Sequence, residues 1–352
     1  SKVSSGTPLI AEESSTIASV RLADPGGAPV AAALPGQFLT VRLQPGLVRS
    51  YSLSGGPGDA QYRISVKREG RVSTHLHEQS RVGDVLEARL PQGHFTVAAL
   101  ERRPLVLLAA GVGITPLLSM LREVVYQGLR TRRIRPTLFV QSSRSLADQP
   151  FRAEVDRLLE DAGDAVKVLR VLSQPEDDLV EGKDFDLRGR IDGDLLRNLL
   201  TDEDFDQVDF VLCGPGGFTQ GIYDILRELD VRDGQIHAET FGPSTLKRQA
   251  DPDAIVMEQP PAATTSVPVV FERSAKEARW QPDGGSLLEL AESRGLRPEF
   301  SCRGGSCGTC RTRLISGAVN YPQPPAEVPE EGQVLICCAV PAQSDQALVL
   351  DL

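Results

Sequence analysis

Five of the chain's six cysteines crowd between Cys302 and Cys338, near the end of a 352-residue sequence. Three have the spacing C-x4-C-x2-C, as Cys302-Arg-Gly-Gly-Ser-Cys307-Gly-Thr-Cys310, and two adjoin as Cys337-Cys338. A disulfide-stapled secreted domain spreads its cysteines over a short chain. Cysteines packed into one corner of a long chain read instead as metal ligands in a reducing, cytoplasmic compartment. Four thiolates suffice for a [2Fe–2S] cluster, two on each iron. Three ligands from one loop demand a tightly curved backbone, and Gly304, Gly305 and Gly308 supply that freedom. Their amides can also aim at sulfur, which tunes potential. A structural zinc site is the alternative, although zinc usually takes paired C-x2-4-C spacings.

The rest of the chain changes character in blocks, as two or three domains would. Residues 11–100 read as β-structure: short apolar runs such as Gln37-Phe-Leu-Thr-Val-Arg-Leu43 and Tyr62-Arg-Ile-Ser-Val-Lys67 are separated by turn signals such as Asp24-Pro-Gly-Gly27. Strands at this spacing predict an antiparallel barrel or sandwich over 1–100, with 1–15 a loose N-terminus. From Leu105-Val-Leu-Leu-Ala-Ala110 onward, continuous apolar runs alternate with helical patterns at Thr115–Gln127, Pro150–Asp161, Gly193–Leu200 and Phe218–Leu229. That alternation predicts a doubly wound, Rossmann-like α/β unit over 101–245. Residues 246–263, with Asp251-Pro-Asp253 and Gln259-Pro-Pro261, have linker composition. The last block, 264–352, opens with a strand at Val267–Phe271 and a helix at Ser286–Ser293 that leads into the cysteines.

Composition excludes two classes of function. With 48 acidic residues against 38 basic ones, the net charge of −10 argues against nucleic-acid binding, which rests on neutralising phosphates. No apolar run approaches the roughly 20 residues of a membrane span, so no membrane insertion is expected.

The cysteine spacing, with a further cysteine 27 or 28 positions on, resembles that of the plant-type ferredoxins. The resemblance implies a β-grasp fold for 264–352. The family's last ligand sits in Cys-x-Ala-x-Pro, which matches Cys337-Cys338-Ala339-Val340-Pro341 and implies the ligand set Cys302, Cys307, Cys310 and Cys337. Cys338, one position away, stays open as a competitor.

Arg49-Ser-Tyr51-Ser52-Leu53 is an R-x-Y-S segment that resembles the flavin-binding strand of the ferredoxin–NADP reductase superfamily. An arginine there can pair with phosphate, while Tyr51 can face the flavin ring and Ser52 can hydrogen-bond it. Val66-Lys67 and then Gly70-Arg-Val72-Ser73-Thr74 match the superfamily's next flavin elements, with a helix at Thr74–Glu78 presenting its N-terminus to the anion. The order of domains is similar to that of the phthalate dioxygenase reductases, which use FMN. Tyr62–His77 is more similar to the FAD-binding part of flavohaemoglobins, so FAD is the expected flavin and FMN the alternative.

Gly111-Val-Gly113-Ile-Thr115-Pro116 lies between a buried strand and a helix. It departs from the G-x-G-x-x-G dinucleotide fingerprint, because Pro116 takes the third glycine's place, but it matches the superfamily's G-x-G-x-T-P. Cys213-Gly214-Pro215 matches its C-G-P, where nicotinamide meets flavin. His237-Ala-Glu239-Thr-Phe241-Gly-Pro243 resembles the terminal segment in which Glu239 and Phe241 border the flavin. The resemblance therefore gives reactive-centre roles to Ser52, Cys213 and Glu239. After the strand ending at Val140, Ser142 and Arg144 are candidates for the ribose end of NADH or NADPH. The four histidines show no metal spacing with the cysteines.

Together the resemblances imply a multidomain NAD(P)H-dependent oxidoreductase: an antiparallel β-barrel flavin domain, a Rossmann-like nicotinamide domain and a ferredoxin domain. Electrons would pass from NAD(P)H through flavin and a [2Fe–2S] cluster to a partner, such as an oxygenase, a P450 or a molybdenum domain, external or fused. A relay subunit of a larger complex, without turnover of its own, is the competing expectation.

Overall fold

The structure, a computed structural model, describes residues 2–4, 11–44, 47–200, 205–241, 246–252, 259–325, 328–344 and 346–352. Its contacts divide the chain into two compact units: Ser1–Val41 with Tyr51–Phe241, and Arg42–Ser50 with Gly242–Leu352.

The N-terminal β-region contains β1 (Lys2–Ser4), β2 (Ala11–Glu12), β3 (Ile17–Leu22), β4 (Phe38–Gln44), β5 (Leu47–Ser52), β6 (Tyr62–Lys67), helix α1 (Arg71–Glu78) and β7 (Val85–Ala88). The strands form a four-stranded sheet in the order β1-β7-β4-β5 and a three-stranded sheet β2-β3-β6. Leu53, just past β5, bridges Ile64 of β6 and ties the two sheets together. β3 and β6 pair antiparallel over their whole length, and Leu22, Ile64 and Val66 are fully buried between the layers. Helix α1 starts at Arg71, three residues before the sequence pattern suggests. The cause is Ser73, whose hydroxyl accepts the Glu69 and Gly70 amides and donates to the Gly70 carbonyl, capping the first turn.

The α/β region follows: β8 (Leu105–Ala110), α2 (Ile114–Thr131), β9 (Thr137–Ser143), α3 (Arg152–Ala162), β10 (Val166–Leu172), β11 (Leu187–Arg188), α4 (Gly193–Leu199), β12 (Asp209–Pro215), α5 (Gly216–Glu228) and β13 (Ile236–Phe241). All six strands are parallel, in the order β11-β10-β9-β8-β12-β13. β8 is central and covered on both faces, which is why its sequence is an unbroken apolar run. α2 buries Leu117, Leu118, Leu121 and Val124 against the sheet and ends on Arg132 in the left-handed region. The chain builds outward from β8 to β11 on one side, then returns to add β12 and β13 on the other. The strand order therefore reverses between β8 and β12, where an open α/β sheet leaves a crevice at the strands' carboxyl ends.

The second unit adds β14 (Val267–Phe271), β15 (Lys276–Trp280), α6 (Leu287–Ser293), β16 (Arg311–Ser316), β17 (Val319–Asn320), β18 (Gln333–Leu335), β19 (Val340–Pro341) and β20 (Leu348–Leu350). The five-stranded sheet runs β15-β14-β20-β16-β18, with β14 and β20 parallel and the other pairs antiparallel. α6 opens with a capping box in which Ser286 and Glu289 satisfy each other's amides. It packs Leu287, Leu288 and Ala291 against Val269, Phe271 and Leu350. This mixed sheet with one helix across it is a β-grasp arrangement. Residues 253–258, the middle of the expected linker, lie outside the described residues. The flanks pack onto the second unit: Arg248 donates to Gln323, Gln259 to the Tyr321 carbonyl, and Ala262 bridges Ala342. Among the described residues, no helix is long and apolar enough to cross a membrane.

Candidate functional site

The cysteine loop joins α6 to β16. Cys307, Cys310 and Cys337 are buried, and Cys302 and Cys338 are half-buried. The amides of Gly304 and Ser306 both point at Cys302 Sγ at 3.4 Å, and the Cys302 amide points at Cys307 Sγ at 3.5 Å. The Cys307 thiol meets Thr309 Oγ1 at 3.2 Å. Such curvature requires left-handed backbone, taken by Arg303 (φ 55), Gly305 (φ 74) and Gly308 (φ 64). At Gly305 a Cβ would lie 2.8 Å from Cys338 Sγ and 2.9 Å from Pro325 Cβ, so only glycine fits.

Hydrogen bonding to Cys302 pushes the Cys307 thiol far up, and burial adds to it. Cys338 is raised chiefly by its hydrogen bond to Cys337, then by burial and by the charges of Cys337, Cys310 and Cys302. The thiols thus act on one another, Cys302 on Cys307 and Cys337, Cys310 and Cys302 on Cys338, and a metal centre deprotonates its thiols outright. Among the described residues no three His, Cys, Asp or Glu side chains converge as a single ion requires. A two-iron cluster asks for two thiol pairs; Cys302 and Cys307 are hydrogen-bonded to each other, and so are Cys337 and Cys338. The loop fits a [2Fe–2S] cluster, with amides already aimed at the ligand sulfurs. Thr309 and Arg303 are contributors that spacing alone does not reveal.

At the crevice between β8 and β12, Gly111–Gly113 forms a single 3-10 turn leading into α2. Gly111 has φ +54 and open space around it, while a Cβ on Gly113 would stand 2.2 Å from the Cys213 carbonyl oxygen and 2.6 Å from the Gly214 nitrogen. The turn is therefore pressed onto the end of β12, and its other side is left clear as an open cradle for an anion. Thr115 donates to the Val112 carbonyl at 3.0 Å, and Pro116 is buried in the first turn of α2. Cys213 is completely buried, and its register partner on β13 is Glu239, as Phe241 is that of Pro215. Burial, then the Glu239 carboxylate, raises the Cys213 thiol well above its ordinary value. It is a neutral packing group at neutral pH, and only the thiolate is a nucleophile. Gly242 and Pro243 lie outside the described residues. Ser142 is half-buried at the end of β9, and Arg144 beyond it is exposed, with Asp148 3.5 Å away.

On β5, Ser52 is buried and Tyr51 half-buried, followed by buried Leu53. Arg49 donates to the Val48 carbonyl and places its guanidinium 5.1 Å from the centroid of Phe300, inside the second unit. Val66 is buried and Lys67 half-buried at the end of β6, and the His77 ring bonds the Val66 carbonyl at 2.7 Å, fastening α1 to that strand. Gly70 has nothing within 4 Å of a would-be Cβ. Val72 and Ser73 are buried, Thr74 half-buried; the Ser73 hydroxyl is committed to its own helix cap. Strand β6 touches the Gly111–Gly113 turn, so two segments more than forty residues apart meet in one place.

Two family models match the chain: an oxidoreductase NAD-binding domain over 107–224 and a 2Fe-2S iron-sulfur cluster binding domain over 271–342. A flavohemoprotein from Deinococcus radiodurans is 37% identical over 239 residues, 66% of this chain and 57% of that protein. The chain thus spans little more than half the length of such relatives. The FAD/NAD-binding domain of a nitric oxide dioxygenase from Vibrio cholerae O1 biovar El Tor is similar in structure, with a TM-score of 0.58 at 29% identity over 69% of this chain and 98% of that one. Phthalate dioxygenase reductase, described as a modular structure for electron transfer from pyridine nucleotides to [2Fe-2S], is similar over 100% of this chain and 98% of its own, with a TM-score of 0.59 and 26% identity.

Proposed function

Because the chain belongs to the ferredoxin–NADP reductase-like family and carries a ferredoxin domain of its own, we propose that it takes a hydride from NAD(P)H and delivers single electrons to a protein acceptor. The observation that carries this reading is the seating of the Gly111–Gly113 turn on Cys213 and Gly214 at the switch point, with β6 against it. Flavin supplies the step from two electrons to one, and a [2Fe–2S] cluster the one-electron exit.

In this reading the backbone of Gly111 and Gly113 and the N-terminus of α2 receive the dinucleotide's pyrophosphate. Ser142 and Arg144 hold the ribose end. Buried, uncharged Cys213 shapes the floor on which the nicotinamide lies, with Gly214 and Pro215, and Glu239 and Phe241 border it. Tyr51 and Leu53 present apolar surface to the flavin ring, and Ser52 offers it a hydrogen bond. Arg49, Val66, Lys67, Gly70, Val72, Ser73 and Thr74 hold the remainder of the flavin. FAD is favoured over FMN by the likeness to the Vibrio FAD/NAD-binding domain. Cys302, Cys307, Cys310 and Cys337 hold the cluster. The acceptor is an oxygenase, a P450 or a molybdenum domain, separate or fused, as the likeness to a dioxygenase reductase supports. Cysteines gathered as metal ligands in one part of a long chain suit the reducing cytoplasm.

The test is an anaerobic titration of the purified chain with NADH and with NADPH, followed by visible spectroscopy and metal and flavin analysis. The expected result is one flavin and two irons per chain, bleaching of both chromophores, and rapid turnover with ferricyanide. A colourless protein, or one whose chromophores neither nucleotide reduces, overturns the reading.

A further inference from the structure

Four charged side chains form a linked knot in the first unit, Arg63–Glu154–Arg122–Asp59, and the proposed function gives none of them a role. Arg63, on β6, donates to both oxygens of Glu154 at 2.7 and 3.0 Å. Arg122, on α2, donates to the same carboxylate at 2.8 Å and to Asp59 at 3.1 and 3.3 Å. Two cations and two anions cancel. Arg63 is 6% exposed and Glu154 15%, and the outer pair, Arg122 and Asp59, are each 30% exposed. Burial would raise the Glu154 carboxyl, but hydrogen bonds and charge from Arg63 and Arg122 outweigh it and hold the carboxyl below its ordinary value. Arg63 also lies over the Phe151 ring at 5.2 Å, and Phe151 caps α3 in the left-handed region (φ 62), a costly conformation for so large a residue.

The knot grips both halves of the site. On the flavin side, Arg63 donates through Nε to Ser54 Oγ at 3.1 Å and through Nη2 to the Ser54 carbonyl, and the Ser54 amide donates to the Arg63 carbonyl at 2.8 Å. Ser54 is two residues past Ser52. Its hydroxyl continues through Ser65 and Ser19 to Glu13, at 2.6, 2.7 and 2.5 Å. A guanidinium does not give up its proton, so this row orders the strand end and conducts nothing. The loop after the strand is held too: Asp59 accepts the Gly56 amide at 2.8 Å, and a Cβ on Gly56 would stand 3.1 Å from the Arg122 guanidinium. On the nicotinamide side, Arg122 is nine residues, about 13.5 Å, along α2 from the turn at Gly113, and Glu154 lies in the first turn of α3.

We infer that Glu154 is the positioning residue of hydride transfer: by holding Arg63 and Arg122 together it fixes the nicotinamide turn relative to the flavin strand. The inference rests on the proposed function. Without the carboxylate, two guanidinium groups face each other, one of them buried, and the join between β6, α2 and α3 opens. Misplacement by about an ångström at the reacting atoms costs up to roughly a hundredfold in rate.

The experiment compares parent, Glu154→Gln and Arg122→Gln, each as the full flavin-loaded chain, in stopped-flow reduction by NADH and by its 4-deuterated form. A second readout, amide hydrogen exchange at residues 54–59, is taken on protein stripped of flavin. The expected result for Glu154→Gln is flavin reduction slowed at least tenfold, nucleotide affinity within about threefold of parent, a changed isotope effect, and faster exchange at Gly56. Arg122→Gln should shift each in the same direction by less. Parent protein that fails to reduce its flavin refutes the proposed function itself. A working parent with Glu154→Gln reduced at the parental rate and isotope effect overturns the inference alone. If Glu154→Gln does not fold or load flavin, Arg122→Gln decides, and a parental rate there also overturns it.

Discussion

The Gly111–Gly113 turn and the cysteine loop, the two proposed cofactor seats, are built in opposite ways. At the turn, the essential feature is missing atoms: Gly113 must carry no Cβ because the end of β12 is in the way, and Gly111 leaves an open cradle. The side chains behind it are apolar or neutral, with Cys213 buried and un-ionised. In the loop, the essential feature is atoms present: sulfurs at fixed positions, with amides of Gly304 and Ser306 aimed at one of them. The first solution belongs to the carboxyl end of a central parallel strand and resembles other βα turns, so its motif has little meaning without the strand and helix around it. The second is local, carried by its own ligands, and legible as a bare spacing. A backbone seat recognises an anion by dipoles and N–H groups, whereas a thiolate seat recognises a metal by charge and softness.

The sharpest way to break that comparison is to damage one seat and read the other. Gly113→Val drives a side chain into the Cys213 carbonyl, and NAD(P)H oxidation should fall by at least about a hundredfold while the iron–sulfur spectrum survives. Cys310→Ser should do the reverse, abolishing the iron–sulfur absorption while flavin content and ferricyanide turnover stay close to parental. Loss of both chromophores in either variant would show that the two seats are not independent.

A finer test separates the adjacent sulfurs. Cys337 is buried and matches the ferredoxin ligand position, while Cys338 leans on Gly305 and its thiol approaches the Leu335 carbonyl at 3.5 Å. Iron content and visible absorption should be largely lost in Cys337→Ser and nearly intact in Cys338→Ser. The opposite pattern moves the ligand by one residue.

The smallest effect concerns pH, and it should touch only the first unit. The Glu154 carboxyl is held below its ordinary value, so its share of stability is fully present above about pH 4.3 and is lost as pH falls through the lower, folded value. Melting of the first unit, followed by flavin release, should drop by a few degrees more between pH 5 and 3 in the parent than in Glu154→Gln, since ~1 kcal/mol shifts a unit of this size by about 2–4 °C. Equal acid sensitivity in the two proteins would show that the knot carries no such linkage.

Much of this was readable in the sequence. The apolar run Leu105–Ala110 declared a buried parallel strand, the strand–helix alternation declared the α/β unit, and the helix expected at Ser286–Ser293 is α6, Leu287–Ser293. The cysteine spacing named its cofactor. Local chemistry decided all of these, and local chemistry is what a sequence carries. The start of α1 was misread by three residues because a hydroxyl bonding back to Gly70 outranks the hydrophobic pattern there. Only the tertiary structure could decide which residues meet across long separations: Gly113 against Cys213, β6 against the glycine turn, and Arg63, Asp59, Arg122 and Glu154 in one knot. Those four charges have no spacing to betray them. A lone arginine on a strand or helix reads as solvated surface, and it becomes a buried joint only when the fold brings a carboxylate from a distant helix within hydrogen-bond reach, since a charge leaves water only where a partner compensates the loss.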